Sequence, residues 1–469
     1  MTKIAIIGAG SIVFCKTLIL DILASDLADI EFSLMAPTER KTTYVKRFAD
    51  RVIQENGLSV EVSVTTDRGK AIRDADYVIS TFQIGGLRAI ELDYKIPMKY
   101  GVDQCIGDTL GPGGIFRALR SIPLIVKLAH DIEDLSSNAI VLNYVNPMSI
   151  VCWALGTTNV QFVGLCHGVQ VSLDLVSGYC RVPKNEITYL SAGINHMAWF
   201  LKLEHKGENL YPVLRERFEH PEYYINEKVR GEVFRQFGYF MTESTGHLSE
   251  YLPYFRKNQK ALNLYCDEPA FGGESGAHVK WSRVVAAKYA AGDILKDEPS
   301  TLPPRSIEYG SYIIEAIETG NPFHFQGNVI NDGMISNLPA DCCVEGPMYA
   351  DDSGLHKVIV GDLPDRCAVL NLTNINVHRL TVDAALSDDP ELIVHACALD
   401  PLSCAVLTLK EIRDMASEML ESQRQWLPQF EGKRIQPTPT ISIPADVKRV
   451  KVPIDPALAI AQRFGELTE

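Results

Sequence analysis

Short apolar runs alternate with helical stretches along the first third of the chain, and that alternation predicts its architecture. Residues 3–7 (KIAII), 30–35, the alternating Val60, Val62 and Val64, 77–82 (YVISTF), 139–143 and 161–165 read as six strands. Helical periodicity separates them: over about 13–24, on through about 56, in a short helix capped by Asp67, from about 115, and from Pro147, whose fixed φ suits a first helical turn. Strands alternating with helices build a doubly wound parallel sheet to about residue 165. Beyond residue 187 the pattern changes. Residues 189–207 read as antiparallel strands, 370–386 as a helix flanking a pocket, and 327–347 as a turn-rich segment with two adjacent buried cysteines. Residues 257–305 are Gly- and Pro-interrupted, as an insertion or interface arm would be, and the Pro-rich tail from Gln436 is expected to wrap the surface. The expected organisation is α/β: an N-terminal Rossmann-like domain over 1–190 and a C-terminal α+β domain over 191–469.

The first strand runs into Gly8-Ala9-Gly10-Ser11 and then a helix. Strand, glycine turn and helix together form a dinucleotide fingerprint, because glycines let the backbone approach a pyrophosphate seated on the helix N-terminus. Gly8, Gly10, Ser11 and Ile12 are therefore candidate cofactor contacts, although Val13 stands where Gly or Ala is usual. The alternative is a tight turn with no ligand. The second strand ends at Met35-Ala36, without the acidic residue that takes ribose hydroxyls. Thr38 and Arg40 can instead accept a 2′-phosphate, so both NAD and NADP are open, and Glu39 remains another ribose partner. Gln83 and Asn143, at the ends of the fourth and fifth strands, complete the candidate cofactor set.

Composition narrows the partners. The chain has 469 residues, 46% hydrophobic, enough for a full core, and a net charge of −14, which leaves no basic footprint for nucleic acid or an anionic membrane. No apolar run reaches membrane-spanning length and no signal segment is evident, so a cytoplasmic location is expected. The eleven cysteines lack a CxxC pair, which fits reduced thiols in a reducing compartment.

The stretch 141–197 brings polar residues to the ends of apolar runs: Asn146, then Cys166 and His167, then His196. The C-terminal edge of a parallel sheet is where open α/β folds bind ligands. Cys166 and His196 are not spaced as a structural zinc site; as an open pair they suit a divalent ion such as Mn²⁺ with substrate and water completing its shell. Taken singly, such a Cys ordinarily packs in a core and such a His is an ordinary satisfied polar group. Asp108, in the glycine-dense loop 107–114, either caps a turn or enters the site. Residues 234–255 crowd Tyr239, Glu243, His247, Glu250 and Tyr251 together, as a pocket wall or, on spacing alone, an amphipathic helix with a wet face.

Several motifs occur in order: GAGS at 8–11, FQIGG at 82–86, DTLGPGGIFRALRSIP at 108–123, NYVNPM at 143–148, GLCHGVQ at 164–170, GINHM at 193–197, GYFMTES at 238–244 and NLP-x-x-CCVE at 337–345. Together they resemble glycoside hydrolase family 4, most of all its α-galactosidase branch, from Lys3 to about Pro428. The resemblance implies α-glycoside hydrolysis by redox elimination rather than by two carboxylates. NAD⁺ takes hydride from sugar C3, a base removes the C2 proton, the aglycone leaves C1, water adds, and the hydride returns. It further implies Cys166 and His196 as metal ligands for Mn²⁺ or another divalent ion, Tyr239 as the C2 base with Tyr251 as fallback, and Asp108 raising the basicity of that Tyr. His167 would assist the leaving group; Asn146, His247 and Glu250 would contact sugar. A homodimer or homotetramer is the implied assembly.

Two departures bear on substrate. Phospho-sugar members carry an Arg where this chain has Ile90, so a 6-phosphate is not expected. Gly168 replaces a Ser typical of the α-galactosidase branch, which keeps α-glucosides, α-galacturonides and α-glucuronides open. Rival readings are a net NAD(P)-dependent dehydrogenase, which would accumulate NADH, and a non-catalytic NAD(H)-binding sensor.

Overall fold

Strand β1 (Thr2–Ile7) alternates its side chains between two cores: Ile4 and Ile6 join one apolar cluster, Ala5 and Ile7 another on the opposite face. That two-sided burial is what a parallel strand covered by helices on both faces requires. Burying an isoleucine fully contributes roughly 1.5–3 kcal/mol, so the alternation fixes the strand register as well as its place. The computed structural model describes residues 1–469 except 28, 292–300, 449, 454 and 458–469, and except the side chains of residues 12 and 13.

Five parallel partners follow: β2 (Ile30–Met35), β3 (Val60–Thr65), β4 (Tyr77–Ser80), β5 (Ile140–Asn143) and β6 (Gln161–Leu165). Their spatial order, β3-β2-β1-β4-β5-β6, is that of a dinucleotide-binding sheet. The helices between them are amphipathic. Glu39–Glu55 buries Val45, Phe48, Ala49 and Val52, a 3–4 spacing that puts one stripe on the sheet. Pro147 stands just before the helix Met148–Leu155, one residue outside the expected first turn.

The sheet then continues antiparallel. Strand β7 (Ile187–Ile194) and β8 (Met197–His205) form the expected hairpin, extended by β9 (Glu208–Asn209). The turn-rich stretch after residue 320 also supplies strands: β10 (Phe323–Ile330) pairs with β6, and β11 (Cys343–Asp351) bridges β10 to β7 and carries β12 (Gly354–Lys357). Among the described residues, twelve strands thus form one sheet, with β10 and β11 joining the parallel part to the hairpin. Cys342 and Cys343 are buried, as expected. The helix Asp365–Ser387 covers the flank expected of residues 370–386. Met1–Gln436 is one compact unit, and Pro437–Glu469 is a second, of mostly irregular backbone where described. No helix among the described residues is long and apolar enough to cross a membrane.

Buried ion pairs pin the helices beneath the sheet edge. Arg120 donates two hydrogen bonds to the carboxylate of Asp93 at 2.6 and 2.9 Å and a third to Gln423, tying Gly86–Lys99, Gly111–Leu135 and Leu409–Gln423 together. Removing one partner would leave an uncompensated buried charge, a loss of about 3–5 kcal/mol.

Candidate active site

At the C-terminal end of β6 the chain turns out as Cys166-His167, and across the edge the β7–β8 turn presents Asn195-His196. His196 has φ of +60°, a left-handed conformation uncommon for a side-chain-bearing residue, which its surroundings must hold. They do so on three sides. Its Nδ1 faces the Thr109 hydroxyl at 3.4 Å and the Tyr251 hydroxyl at 3.5 Å, while its Nε2 faces Cys166 Sγ at 3.6 Å and Glu243 Oε2 at 3.4 Å. Burial pushes its pKa down to about 4, so the imidazole is neutral and a lone pair is available for a ligand. Burial, with Glu345 and Glu243 nearby, likewise pushes the Cys166 thiol well above its ordinary range.

The loop carrying Asp108 is anchored from below. Glu250, 2% exposed, accepts from the backbone N–H of Ile106 at 2.6 Å and of Gly107 at 2.9 Å. Asp108 then accepts from Arg117 Nη1 at 3.2 Å and pairs with His247 Nε2 at 3.3 Å. The other ring nitrogen of His247 meets Glu243 Oε1 at 3.2 Å. Burial alone would lower the His247 pKa, but its two carboxylate partners outweigh it and raise it to about 10. Burial would raise both carboxyls, yet the facing cations hold Asp108 and Glu243 well below the usual carboxylate range. Asp108, His247 and Glu243 form a fixed charge relay along one wall.

Tyr251 is 2% exposed and donates to Thr109 Oγ1 at 2.7 Å; burial pushes its phenol well above 10. His167, half-exposed, sets its Nδ1 against Glu308 Oε1 at 2.9 Å, and that hydrogen bond, opposed by burial, raises its pKa from the ordinary value. Asn146 joins the same wall through its carbonyl, which accepts from Arg117 Nε at 3.2 Å.

The structure therefore brings together Cys166, His196, Asp108, His247, His167, Asn146 and Tyr251. Tyr239 stands elsewhere. Its ring packs edge-on against Tyr211 at 6.0 Å and beneath the Arg366 guanidinium at 5.2 Å, in a separate aromatic cluster. The reason is a break in the chain: helix Lys228–Phe237 stops at Gly238, the backbone runs alongside β8 through a Trp199–Met241 bridge, and helix Thr245–Tyr251 restarts. The single wet-faced helix expected over 234–255 is therefore replaced by a pocket wall. Glu250 lies in the cluster but spends both oxygens on the loop backbone. Asn143 turns inward: wholly buried, its side chain accepts from Ser80 Oγ at 2.8 Å and from the Val145 N–H at 3.2 Å.

On the nucleotide side, Gly8 has φ of +101°, and a Cβ there would stand 2.5 Å from the Thr81 carbonyl oxygen, so only glycine fits. Gly8 and Ala9 both donate to the Met35 carbonyl, which fixes the turn. Gly10 lies against the Lys41 stem, Ser11 is the exposed N-cap of helix Ile12–Leu23, and the Ile12 side chain is outside the described residues. Thr38, Arg40 and Gln83 are exposed. Ala36, where such folds carry a carboxylate, is buried at the end of β2.

Sequence reasoning named Glu243 only as part of a crowded segment, without a role, and missed Glu308 and Glu345. Glu345 on β11, raised to about 7 by burial, accepts from Asn195 at 3.3 Å and Asn328 at 3.1 Å. A lone carboxylate inside the apolar run of the NLP-x-x-CCVE motif was the available signal for it.

Comparison with known proteins converges on one family. The model described as "Family 4 glycosyl hydrolase" matches residues 3–180, and that of the "Family 4 glycosyl hydrolase C-terminal domain" matches 191–403. An α-galactosidase of Rhizobium meliloti is 40% identical over 438 residues, 91% of this chain and 89% of that protein. An α-galactosidase of Bacillus subtilis is 37% identical over 92% of this chain and 100% of its own length. A structure of the 6-phospho-β-glucosidase of Thermotoga maritima with manganese, NAD⁺ and glucose-6-phosphate, 22% identical, superposes with a TM-score of 0.73 over 91% of this chain and 99% of that one, which shows the shared fold.

Proposed function

The chain belongs to family 4 of the glycosyl hydrolases, and from that premise we propose that it is an α-galactosidase working with NAD⁺ and a divalent cation such as Mn²⁺. The observation that carries the reading is the meeting of Cys166, His196 and Tyr251 at the open edge of a nucleotide-type sheet.

The residues suit both groups. A thiol and a neutral imidazole nitrogen 3.6 Å apart form an open, soft-plus-borderline donor pair, and the Gly8 turn leaves backbone free at the N-terminus of a helix. When bound, NAD⁺ supplies a hydride acceptor and donor, and the divalent ion supplies Lewis-acid charge that polarises a sugar oxygen and favours a phenolate nearby. Tyr251 then removes the proton at sugar C2. Thr109 holds its hydroxyl, and its buried position keeps water from competing. Asp108, fixed by Arg117 and His247, places a negative charge beside that proton path. Glu308 against its Nδ1 favours the protonated form of His167, whose Nε2 is placed to donate a proton to the departing oxygen at C1. Asn146 orients sugar hydroxyls, and His247, its two nitrogens held by Asp108 and Glu243, fixes the wall beside them.

Nucleotide binding is assigned to 1–190, and sugar contacts and assembly to 191–469. A cytoplasmic setting is supported by eleven free cysteines, Cys166 among them. A homodimer or homotetramer is supported by Trp281 and Val284, which are more than half exposed on helix Ala277–Ala290.

The test is hydrolysis of 4-nitrophenyl α-galactoside, α-glucoside and α-galacturonide, with and without NAD⁺, Mn²⁺ and thiol reductant, while following NADH absorbance. Release that is fastest from the galactoside, needs all three additions and leaves no net NADH is expected. Faster release from the galacturonide would overturn the sugar assignment, and NADH accumulation without release would overturn hydrolysis itself.

A further inference from the structure

One ring nitrogen of His196, Nε2, lies close to two further groups at once: Cys166 Sγ at 3.6 Å and Glu243 Oε2 at 3.4 Å. A thiol sulfur, an imidazole nitrogen and a carboxylate oxygen are all donors a divalent cation accepts, and the ligand atoms of His196, Glu243 and His247 lie within 4.8 Å of one another. Bonds of about 2.0–2.3 Å to one ion hold neighbouring ligand atoms roughly 3–3.7 Å apart, the separation of Nε2 from each of its two neighbours.

The carboxylate is built into this position. Glu243 Oε1 accepts from the Ser244 backbone N–H at 2.7 Å and meets His247 Nδ1 at 3.2 Å, which orients the group and leaves Oε2 for the pocket. His247 is itself held by Asp108 through its other nitrogen, so it clamps the carboxylate and has no nitrogen left to ligate. Ligating carboxylates are characteristically held by such outer hydrogen bonds. Gly168 makes the approach possible: a Cβ at that residue would stand 3.1 Å from Glu243 Oε2 and 3.7 Å from Cys166 Sγ, so both ligand atoms border the space that glycine leaves empty.

We propose that Glu243 is a third protein ligand of the divalent cation, completing a Cys166–His196–Glu243 set in which the carboxylate fixes the ion before sugar arrives. The inference rests on the metal site of the preceding reading. It makes this chain a tighter, harder site than a thiolate and imidazole alone, one that holds Mn²⁺ in the absence of substrate.

The experiment is a Mn²⁺ titration of the full chain without sugar, counting free ion by its electron paramagnetic resonance signal. Wild type, Glu243→Gln, Gly168→Ala and Cys166→Ser are compared, with circular dichroism confirming that each is folded. Glu243→Gln keeps shape and removes the charge; its Kd should rise roughly 10- to 100-fold. Gly168→Ala, which leaves all three ligands in place and crowds Oε2, should weaken binding several-fold. Wild-type affinity in both variants, with binding lost in Cys166→Ser, would overturn the third ligand while leaving the two-residue site standing. No binding by wild type would overturn the site and the proposal together.

Discussion

Replacing Tyr251 with Phe removes one oxygen from the site and little else. The ring is 2% exposed and packed in the main core, so its shape is retained. The lost hydroxyl donates to Thr109 at 2.7 Å, and Thr109 keeps His196 Nδ1 as a neighbour at 3.4 Å. The cost in stability is therefore that of one hydrogen bond, about 1 kcal/mol net, and a Tm shift of about 1–2 °C in a chain of this size. The cost in catalysis is that of a general base, about 10²- to 10⁴-fold, or roughly 3–5 kcal/mol in barrier. Tyr239→Phe is the matched control. Its hydroxyl belongs to a ring wedged between Tyr211 and Arg366, and kcat should change less than about twofold. The assay is initial-rate hydrolysis of 4-nitrophenyl α-galactoside with saturating NAD⁺ and Mn²⁺, alongside thermal melts of both variants. Tyr251→Phe retaining more than a tenth of wild-type turnover, with Tyr239→Phe losing a hundredfold, would refute the assignment.

Other substitutions test other walls. Gly8→Ala forces a Cβ to 2.5 Å from the Thr81 carbonyl at φ +101°, so NAD⁺ affinity by fluorescence titration should fall at least about tenfold; a Kd within twofold of wild type would count against a cofactor at this turn. His167→Gln should slow an alkyl α-galactoside far more than the 4-nitrophenyl substrate, whose leaving group needs no proton; equal slowing of the two would exclude His167 as the acid. His378 on helix Asp365–Ser387 titrates at about 3 because burial opposes its charge, whereas an unfolded His takes a proton near about 6.5. Its contribution to stability is complete above that pH and is lost, at up to about 1.4 kcal/mol per unit, as pH falls toward its folded value. The fall in Tm between pH 7.5 and 5 should therefore be shallower in His378→Leu, and parallel curves would disprove it.

The sheet was legible because parallel strands buried on both faces must be continuous apolar runs, and runs ending in polar residues mark the ligand-binding edge. That logic found Cys166, His196 and Asp108. Asn143, a polar strand end, is spent by the fold on Ser80 and the following turn, and Glu250, a sugar contact by the resemblance, uses its oxygens to hold the loop that carries Asp108. The resemblance named Tyr239 first and Tyr251 as fallback; the chain breaks at Gly238 and restarts as a helix at Thr245, which sets Tyr251 beside His196 and leaves Tyr239 against Tyr211. The partners of Glu308 and Glu345 were not legible for another reason. The two carboxylates meet His167 and Asn195 across 141 and 150 residues of sequence, and only the pairing of β10 and β11 with the sheet brings Glu345 in.

The most direct measurement is hydrolysis of methyl α-galactoside in D₂O, with the C2 position of the released galactose read by NMR. Elimination across C1 and C2, with Tyr251 removing the C2 proton, predicts deuterium at C2 in every product molecule, and only when NAD⁺ is present. Galactose released with its C2 proton intact would mean direct displacement at C1, and would contradict the account at its root.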